Sequence, residues 1–221
     1  MNRRTVFRNL TGGMAALTGA LAGARAAQEG ITRSPAEPQR LADVAPLPCH
    51  CGKRGPRDGY FPDVVVTSHE GGRARFYSDL VMGKTVVFNY MYTRCEERCP
   101  LYTMNLVKVQ RLLGDRVGRD IFMYSLTLDP LADTPKVLRK YAEGHGVGPG
   151  WLFLTGKPAD MELLRQRLGF VEPDPELDRQ KSSHVGLIRY GNERLDRWSA
   201  CAAQSNPETI VKYISWMEPK G

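Results

Sequence analysis

The sequence predicts an α/β fold in which a central mixed sheet is flanked by helices, and two observations carry that prediction. The first is a set of continuous apolar runs rich in β-formers: TVVFNYM at 85–91, IFMYSLTL at 121–128 and WLFLT at 151–155. Runs of this kind mark strands buried on both faces. The second is that helical segments separate them, so strand and helix alternate and the central strands are expected to be parallel.

The elements follow in chain order. VVVT at 64–67 reads as a strand, Glu70-Gly71-Gly72 as a turn and ARFY at 74–77 as the return of an N-terminal β-hairpin. After the strand at 85–91, Pro100 opens a helix to Leu113, with Leu101, Met104, Leu106, Val107, Val109, Leu112 and Leu113 as a broad apolar face. The strand at 121–128 leads to Thr134-Pro135, a threonine N-cap and a proline at the first helical position of a helix to about Glu143. The strand at 151–155 is followed by a helix at 158–168. HVGLIRY at 184–190 and the segment 194–199 form a hairpin around Gly191-Asn192, and Pro207 opens a last helix to Trp216. The order is hairpin, βαβαβα, then ββα. That is a thioredoxin-like arrangement over 59–221, with an N-terminal β-hairpin and a C-terminal hairpin plus helix.

The 221 residues carry 42% hydrophobic residues and a net charge of +7, enough apolar material for one sizeable core. This composition excludes a disordered chain, a collagen-like repeat and a polytopic membrane protein. Four of the positive charges, Arg3, Arg4, Arg8 and Arg25, fall in 1–26, a segment with no acid. Downstream, basic and acidic residues are interspersed without a long basic run, so no nucleic-acid partner is expected. Residues 1–26 read as an export signal of the twin-arginine type: a basic start, a modestly apolar stretch at 10–24 and an Ala24-Arg25-Ala26 cleavage site. The competing reading is an uncleaved anchor that tethers the domain to the membrane. Either reading places the domain in an oxidising compartment, the periplasm of a bacterium. Residues 27–58, with Pro35, Pro38, Pro46, Pro48 and Pro56, show no helical or strand periodicity and read as a flexible tether.

Five cysteines, Cys49, Cys51, Cys95, Cys99 and Cys201, are an odd number for an oxidising compartment, so at least one is free, ligating or paired elsewhere. Cys95 and Cys99 flank Glu96-Glu97-Arg98 where the buried strand passes into a helix, and Pro100 follows them. At this spacing the two sulfurs share one side of a helical turn, which suits one metal ion or one disulfide. A helix N-terminus favours thiolate, the form that attacks disulfides and ligates metals. Of the four histidines, His69 and His145 read as surface or capping residues. His184 follows a polar loop at 173–183 that can fold back over the cysteines. Two soft sulfurs and an imidazole suit copper, as Cu(I) or Cu(II), and zinc remains open. Asp129 ends a parallel strand, where functional crevices form in α/β sheets. Asp129 and Asp133 equally read as caps of the turn and the next helix.

From about Tyr60 to Trp216 the chain resembles the SCO/SenC family of copper-binding, thioredoxin-fold proteins. The resemblance rests on Tyr60-Phe61-Pro62, FNYMYTRCEERCP, SLTLDPLADTP, PGWLFLTG and His184. It implies Cys95, Cys99 and His184 as copper ligands, and Asp129 as a residue that supports the site or faces a partner. The family often has Asp immediately before the histidine, where this chain has Ser183. The implied function is a copper metallochaperone that is loaded by a periplasmic copper donor. It would deliver the metal to a respiratory enzyme such as the Cu(A)-bearing subunit of a cytochrome c oxidase. A second reading is a thiol–disulfide oxidoreductase with Cys95 and Cys99 as its redox pair, and a third is a copper-dependent redox sensor. Cys49-His50-Cys51 forms an auxiliary soft-metal hook in the tether, with disulfide pairing, including to Cys201, as its rival. Cys201 otherwise reads as a small buried thiol.

Overall fold

The structure, a computed structural model, describes residues 55–219 apart from Val185. The signal at 1–26, most of the tether and the Cys49-His50-Cys51 motif lie outside the described residues. Seven strands form one sheet: β1 (Val65–Ser68), β2 (Arg73–Arg75), β3 (Thr85–Met91), β4 (Ile121–Thr127), β5 (Trp151–Gly156), β6 (Leu187–Asn192) and β7 (Arg197–Ala202), in the order β2-β1-β5-β4-β3-β6-β7. β4 runs parallel to β3 and β5, and the two hairpins close the sheet with antiparallel pairs. The helices are α1 (Arg98–Leu113), α2 (Pro135–Gly144), α3 (Pro158–Arg167), the single turn α4 (Pro175–Asp178) and α5 (Pro207–Ser215).

The continuous apolar runs bury both of their faces. Val87, Met91, Met123, Trp151 and Phe153 pack with Leu106 and Val109 of α1, Leu138 of α2, and Ile210 and Ile214 of α5. The alternate residues Val86, Phe88, Tyr90, Tyr124, Leu126, Leu152 and Leu154 pack with Met161 and Leu164 of α3. The period-two alternation of a strand therefore divides one sequence run between two cores. The polar members on the first face find partners in register. Asn89 lies opposite Ser125, whose hydroxyl donates to Asn89 Oδ1 at 2.7 Å and accepts from the Trp151 indole at 2.9 Å.

Several boundaries differ from the sequence expectation. Phe76 and Tyr77, expected in the return strand, instead begin a π-helical turn, Phe76–Val81. Asp79 accepts the Arg75 amide at 2.7 Å, and the Tyr77 hydroxyl donates to buried Glu193 at 2.7 Å, a contact 116 residues away in sequence. Helix α1 starts two residues before Pro100, whose missing N–H falls in the first turn, where none is needed. β7 begins at Arg197, three residues later than expected, because Asn192–Asp196 forms a longer turn with Asp196 at φ 49°. Residues 55–58, assigned to the tether from sequence, hydrogen-bond into the domain, with the Arg57 amide on Glu193 and its side chain on Asp196. Among the described residues no helix is long and apolar enough to cross a membrane.

His69, in the β1–β2 turn, extends the sheet: its backbone amide donates to Phe153 O at 2.7 Å and its Nδ1 accepts the Phe153 amide at 3.1 Å. Burial lowers its pKa from the ordinary 6.5, helped by Arg139 and opposed by Glu70 and Glu143. Because the unfolded chain then binds this proton more readily, stability falls as pH drops through 6.5 and levels off below the folded-state value. Thermal melts across this range are expected to show that loss in the wild type and a smaller one in His69→Gln; equal profiles would exclude His69 as its source.

Candidate metal centre

The sheet topology brings the sequence-selected residues to one edge. The C-terminal ends of β3 and β4 carry the Cys95 loop and Asp129. β6 runs antiparallel to β3, with Asn89 opposite Ile188, so the segment preceding β6 starts at the same edge. His184 lies in that segment, not at the head of a strand as the sequence suggested. It ends a 3₁₀ turn, Lys181–His184, and β6 begins three residues later.

Cys95 and Cys99 are free thiols and both are buried. Cys95 precedes α1, whose N-cap residue Glu97 makes no side-chain capping hydrogen bond, and Cys95 Sγ supplies the missing acceptor by taking the Cys99 amide at 3.3 Å. Burial pushes the Cys95 thiol up. Hydrogen bonds from the Cys99 and Arg98 backbone, the Cys99 thiol and the Tyr92 side chain outweigh this and leave it below its ordinary value. Cys99 moves the other way. Burial, the hydrogen bond it shares with Cys95 and the Cys95 charge push it up to about 12, against a backbone hydrogen bond at Tyr92. The two thiols are thus shifted in opposite directions, Cys95 toward thiolate and Cys99 toward the protonated form.

Asp129 joins the two segments. Its carboxylate meets Arg94, next to Cys95, at 2.8 Å and Lys181, three residues before His184, at 3.3 Å. Both cations are well exposed, so each pair contributes at most about 1 kcal/mol. Asp133 does not cap α2, a role taken by Thr134, whose side chain accepts the Val137 amide. Fully buried, Asp133 accepts hydrogen bonds from the Thr93 amide and hydroxyl and from the Thr127 hydroxyl, tying the cysteine loop to the end of β4.

His184 is buried, and its Nε2 lies 2.8 Å from the Asp178 carbonyl oxygen and 3.2 Å from Arg165 Nη1. Among the described residues no three His, Cys, Asp or Glu side chains converge closely enough to hold one ion. The structure therefore brings Cys95 and Cys99 together and leaves His184 on the same edge with its imidazole on Asp178. His145 ends α2 as a capping residue, with Nδ1 2.8 Å from Tyr141 O. Cys201 lies inside β7, not after its strand, and is only half-buried instead of the buried thiol expected; what burial it has pushes its thiol up to about 11.

The sequence reading missed Tyr92, Arg165 and Asp178. Tyr92 was detectable as a tyrosine three residues before the first cysteine. Arg165 and Asp178 carry no local signal, since each is defined by a partner outside its own element. As a donor set, two thiols with one lowered and one raised, plus an imidazole on the same sheet edge, have the chemistry of a site for a soft cation of low coordination number.

A family model described as SCO1/SenC matches residues 65–217. The chain is 28% identical over 111 residues to the SCO1 protein homolog of Bacillus subtilis (strain 168), a stretch covering 49% of this chain and 56% of that protein. This chain thus spans little more than half the length of that relative. Among solved structures, Bradyrhizobium japonicum ScoI with copper bound matches with a TM-score of 0.55 at 21% identity, covering 70% of this chain and 96% of that one. BsSco, a member of the Sco family of cytochrome c oxidase assembly proteins in which a disulfide switch was identified, matches with a TM-score of 0.57 at 20% identity, covering 70% and 92%. At these identities the likeness is one of fold, the thioredoxin-like arrangement expected from the order of elements.

Proposed function

The chain belongs to the SCO1/SenC family, and from that premise we propose that it is a periplasmic copper chaperone that holds one copper ion through Cys95, Cys99 and His184. The observation that carries this reading is the thiol pair at the mouth of α1, with Cys95 already biased to thiolate and Cys99 within hydrogen-bonding reach of it. The copper bound in Bradyrhizobium ScoI supports the choice of metal. The description of BsSco as a cytochrome c oxidase assembly protein supports the client class, a Cu(A)-type centre.

Copper is the cargo. A donor in the periplasm presents Cu(I), the Cys95 thiolate binds it, Cys99 loses its proton to bind beside it, and the His184 segment shifts to supply the third ligand. Release runs by ligand exchange: client thiols or imidazoles displace these ligands one at a time while the metal stays coordinated throughout. Asp129, bridging Arg94 and Lys181, holds the cysteine and histidine segments within reach of each other during the exchange. Residues 1–26 deliver or tether the domain outside the cytoplasm, and Cys49-His50-Cys51 offers an auxiliary soft-metal hook.

The test is the copper stoichiometry and absorption spectrum of the purified chain beside His184→Ala. One copper per chain is expected, with thiolate-to-Cu(II) charge-transfer bands in the wild type that change in the variant. An unchanged spectrum would remove His184 from the site, and failure of the reduced wild type to retain copper would sink the chaperone reading.

The same difference between the two thiols favours a second, compatible activity. The Cys95 thiolate attacks a client disulfide, forms a mixed disulfide and releases one client thiolate. Cys99, deprotonated, then attacks Cys95 Sγ and releases the second client thiol. The client gains two electrons, and a Cys95–Cys99 disulfide remains for an external dithiol to reduce.

A further inference from the structure

Arg165 emerges from α3 into the protein interior, and only 8% of its side chain is exposed. Every one of its five N–H donors has an acceptor other than the imidazole. Nε donates to Glu162 Oε2 at 2.8 Å, and Nη2 donates to Glu162 Oε1 at 2.7 Å and Asp178 Oδ2 at 2.8 Å. Nη1 donates to Phe170 O at 2.7 Å and Asp178 Oδ1 at 2.8 Å. Asp178 Oδ1 also takes the Glu172 amide at 2.8 Å, so this carboxylate holds the start of the loop that leads to His184.

This arrangement bears on the tautomer of the imidazole. Nε2 of His184 has three polar neighbours: Asp178 O at 2.8 Å, Arg165 Nη1 at 3.2 Å and Asp178 Oδ1 at 3.6 Å. An arginine nitrogen never accepts, and both protons of Nη1 are already taken. Of the two neutral tautomers, only the one with the proton on Nε2 makes a hydrogen bond here, donating to the Asp178 carbonyl. The lone pair then resides on Nδ1.

We propose that Arg165, by fixing Asp178, selects the Nε2–H tautomer of His184 and so makes Nδ1 the atom that binds copper. The inference rests on the copper-site reading for its second half only. A ligating histidine commonly donates its other ring N–H to a carbonyl or carboxylate, which orients the ring and raises the basicity of the ligating nitrogen. Here the carbonyl belongs to the same loop as the histidine, six residues away, so the bond travels with the loop when it shifts toward the cysteines. Arg165 is a positioning residue that acts through Asp178.

The test is long-range ¹H–¹⁵N correlation of the imidazoles in the full chain at mildly alkaline pH. There are four histidines, and His184 is assigned by its absence in His184→Ala. The copper-free protein is expected to show His184 as the Nε2–H tautomer, and an Nδ1–H pattern overturns the proposal. On adding Cu(I), the Nδ1 resonance of His184 is expected to move as ligated nitrogens do; movement of Nε2 instead overturns the assignment of the ligating atom. Arg165→Gln is expected to mix the tautomers and weaken Cu(I) binding about tenfold in a chelator competition. Asp178→Asn, less buried, is expected to do the same to a smaller degree and serves if the arginine variant does not fold. In the His184→Ala background the effect should vanish, and an equal loss there would reduce Arg165 to a structural role. Failure of the wild type to bind copper would sink the chaperone reading while leaving the tautomer assignment to stand or fall on the copper-free spectrum.

Discussion

Cys95→Ser is expected to abolish copper retention and rapid thiol alkylation together, whereas Cys99→Ser abolishes copper retention and leaves the alkylation in place. The two sulfurs differ because one lies in front of α1 and accepts its N–H groups, while the other is enclosed one turn later. With Cys95 shifted below its ordinary value and Cys99 pushed up to about 12, the thiolate fraction at neutral pH is much larger at Cys95. A more basic thiolate is the better nucleophile, which offsets part of this difference before burial of Cys99 widens it again. The pH dependence has a definite sign. Cys95 alkylation rises with pH and levels off below the ordinary thiol value of 9.0, while Cys99 continues to gain toward 12. Mass-spectrometric mapping of the modified cysteine over time reads both rates. Equal rates, or faster labelling at Cys99, would show that the helix N-terminus does not set the thiolate.

Asp133→Ala is expected to lower stability by about 3 kcal/mol, because a buried carboxylate that accepts from Thr93 and Thr127 is removed and its donors are left without partners. For a domain of this size that corresponds to a fall in Tm of roughly 6–12 °C. Asp133→Asn should cost less, since the threonine hydroxyls can turn to accept from an amide while the Thr93 N–H cannot. The same change frees the segment that delivers Cys95, so amide exchange is expected to accelerate over 93–99 more than in the strands. Melting like that of the wild type would mean that Asp133 is only a local turn residue, as the sequence allowed.

The positions of the two cysteines were legible because they follow from local rules. A continuous apolar run bounded by polar residues is a buried strand, a proline just inside a helical pattern marks its first turn, and CxxxC between them falls at the helix mouth. The same rules found β3 at Thr85–Met91 and the starts of α2, α3 and α5 at their prolines. His184 was chosen partly for the polar loop before it, which can fold back over the cysteines, and mainly for its likeness to a family pattern. Its placement on the cysteine edge required the antiparallel pairing of β6 with β3, which no local pattern encodes.

What the sequence alone determined is therefore the set of strands, the helix starts and the chemical identity of the thiol pair, all properties of segments shorter than about twenty residues. Only the tertiary structure decided that Phe76 leaves the strand for a π-helical turn and that Asp133 holds the cysteine loop instead of capping a helix. It also decided that Asp129 pairs with cations from two segments, and that Asp178, held by Arg165, lies against the His184 imidazole. Each of these depends on partners fixed by strand register and by loop closure. A buried polar group must satisfy its hydrogen bonds wherever the fold places an acceptor, and that location is not written in the residues beside it.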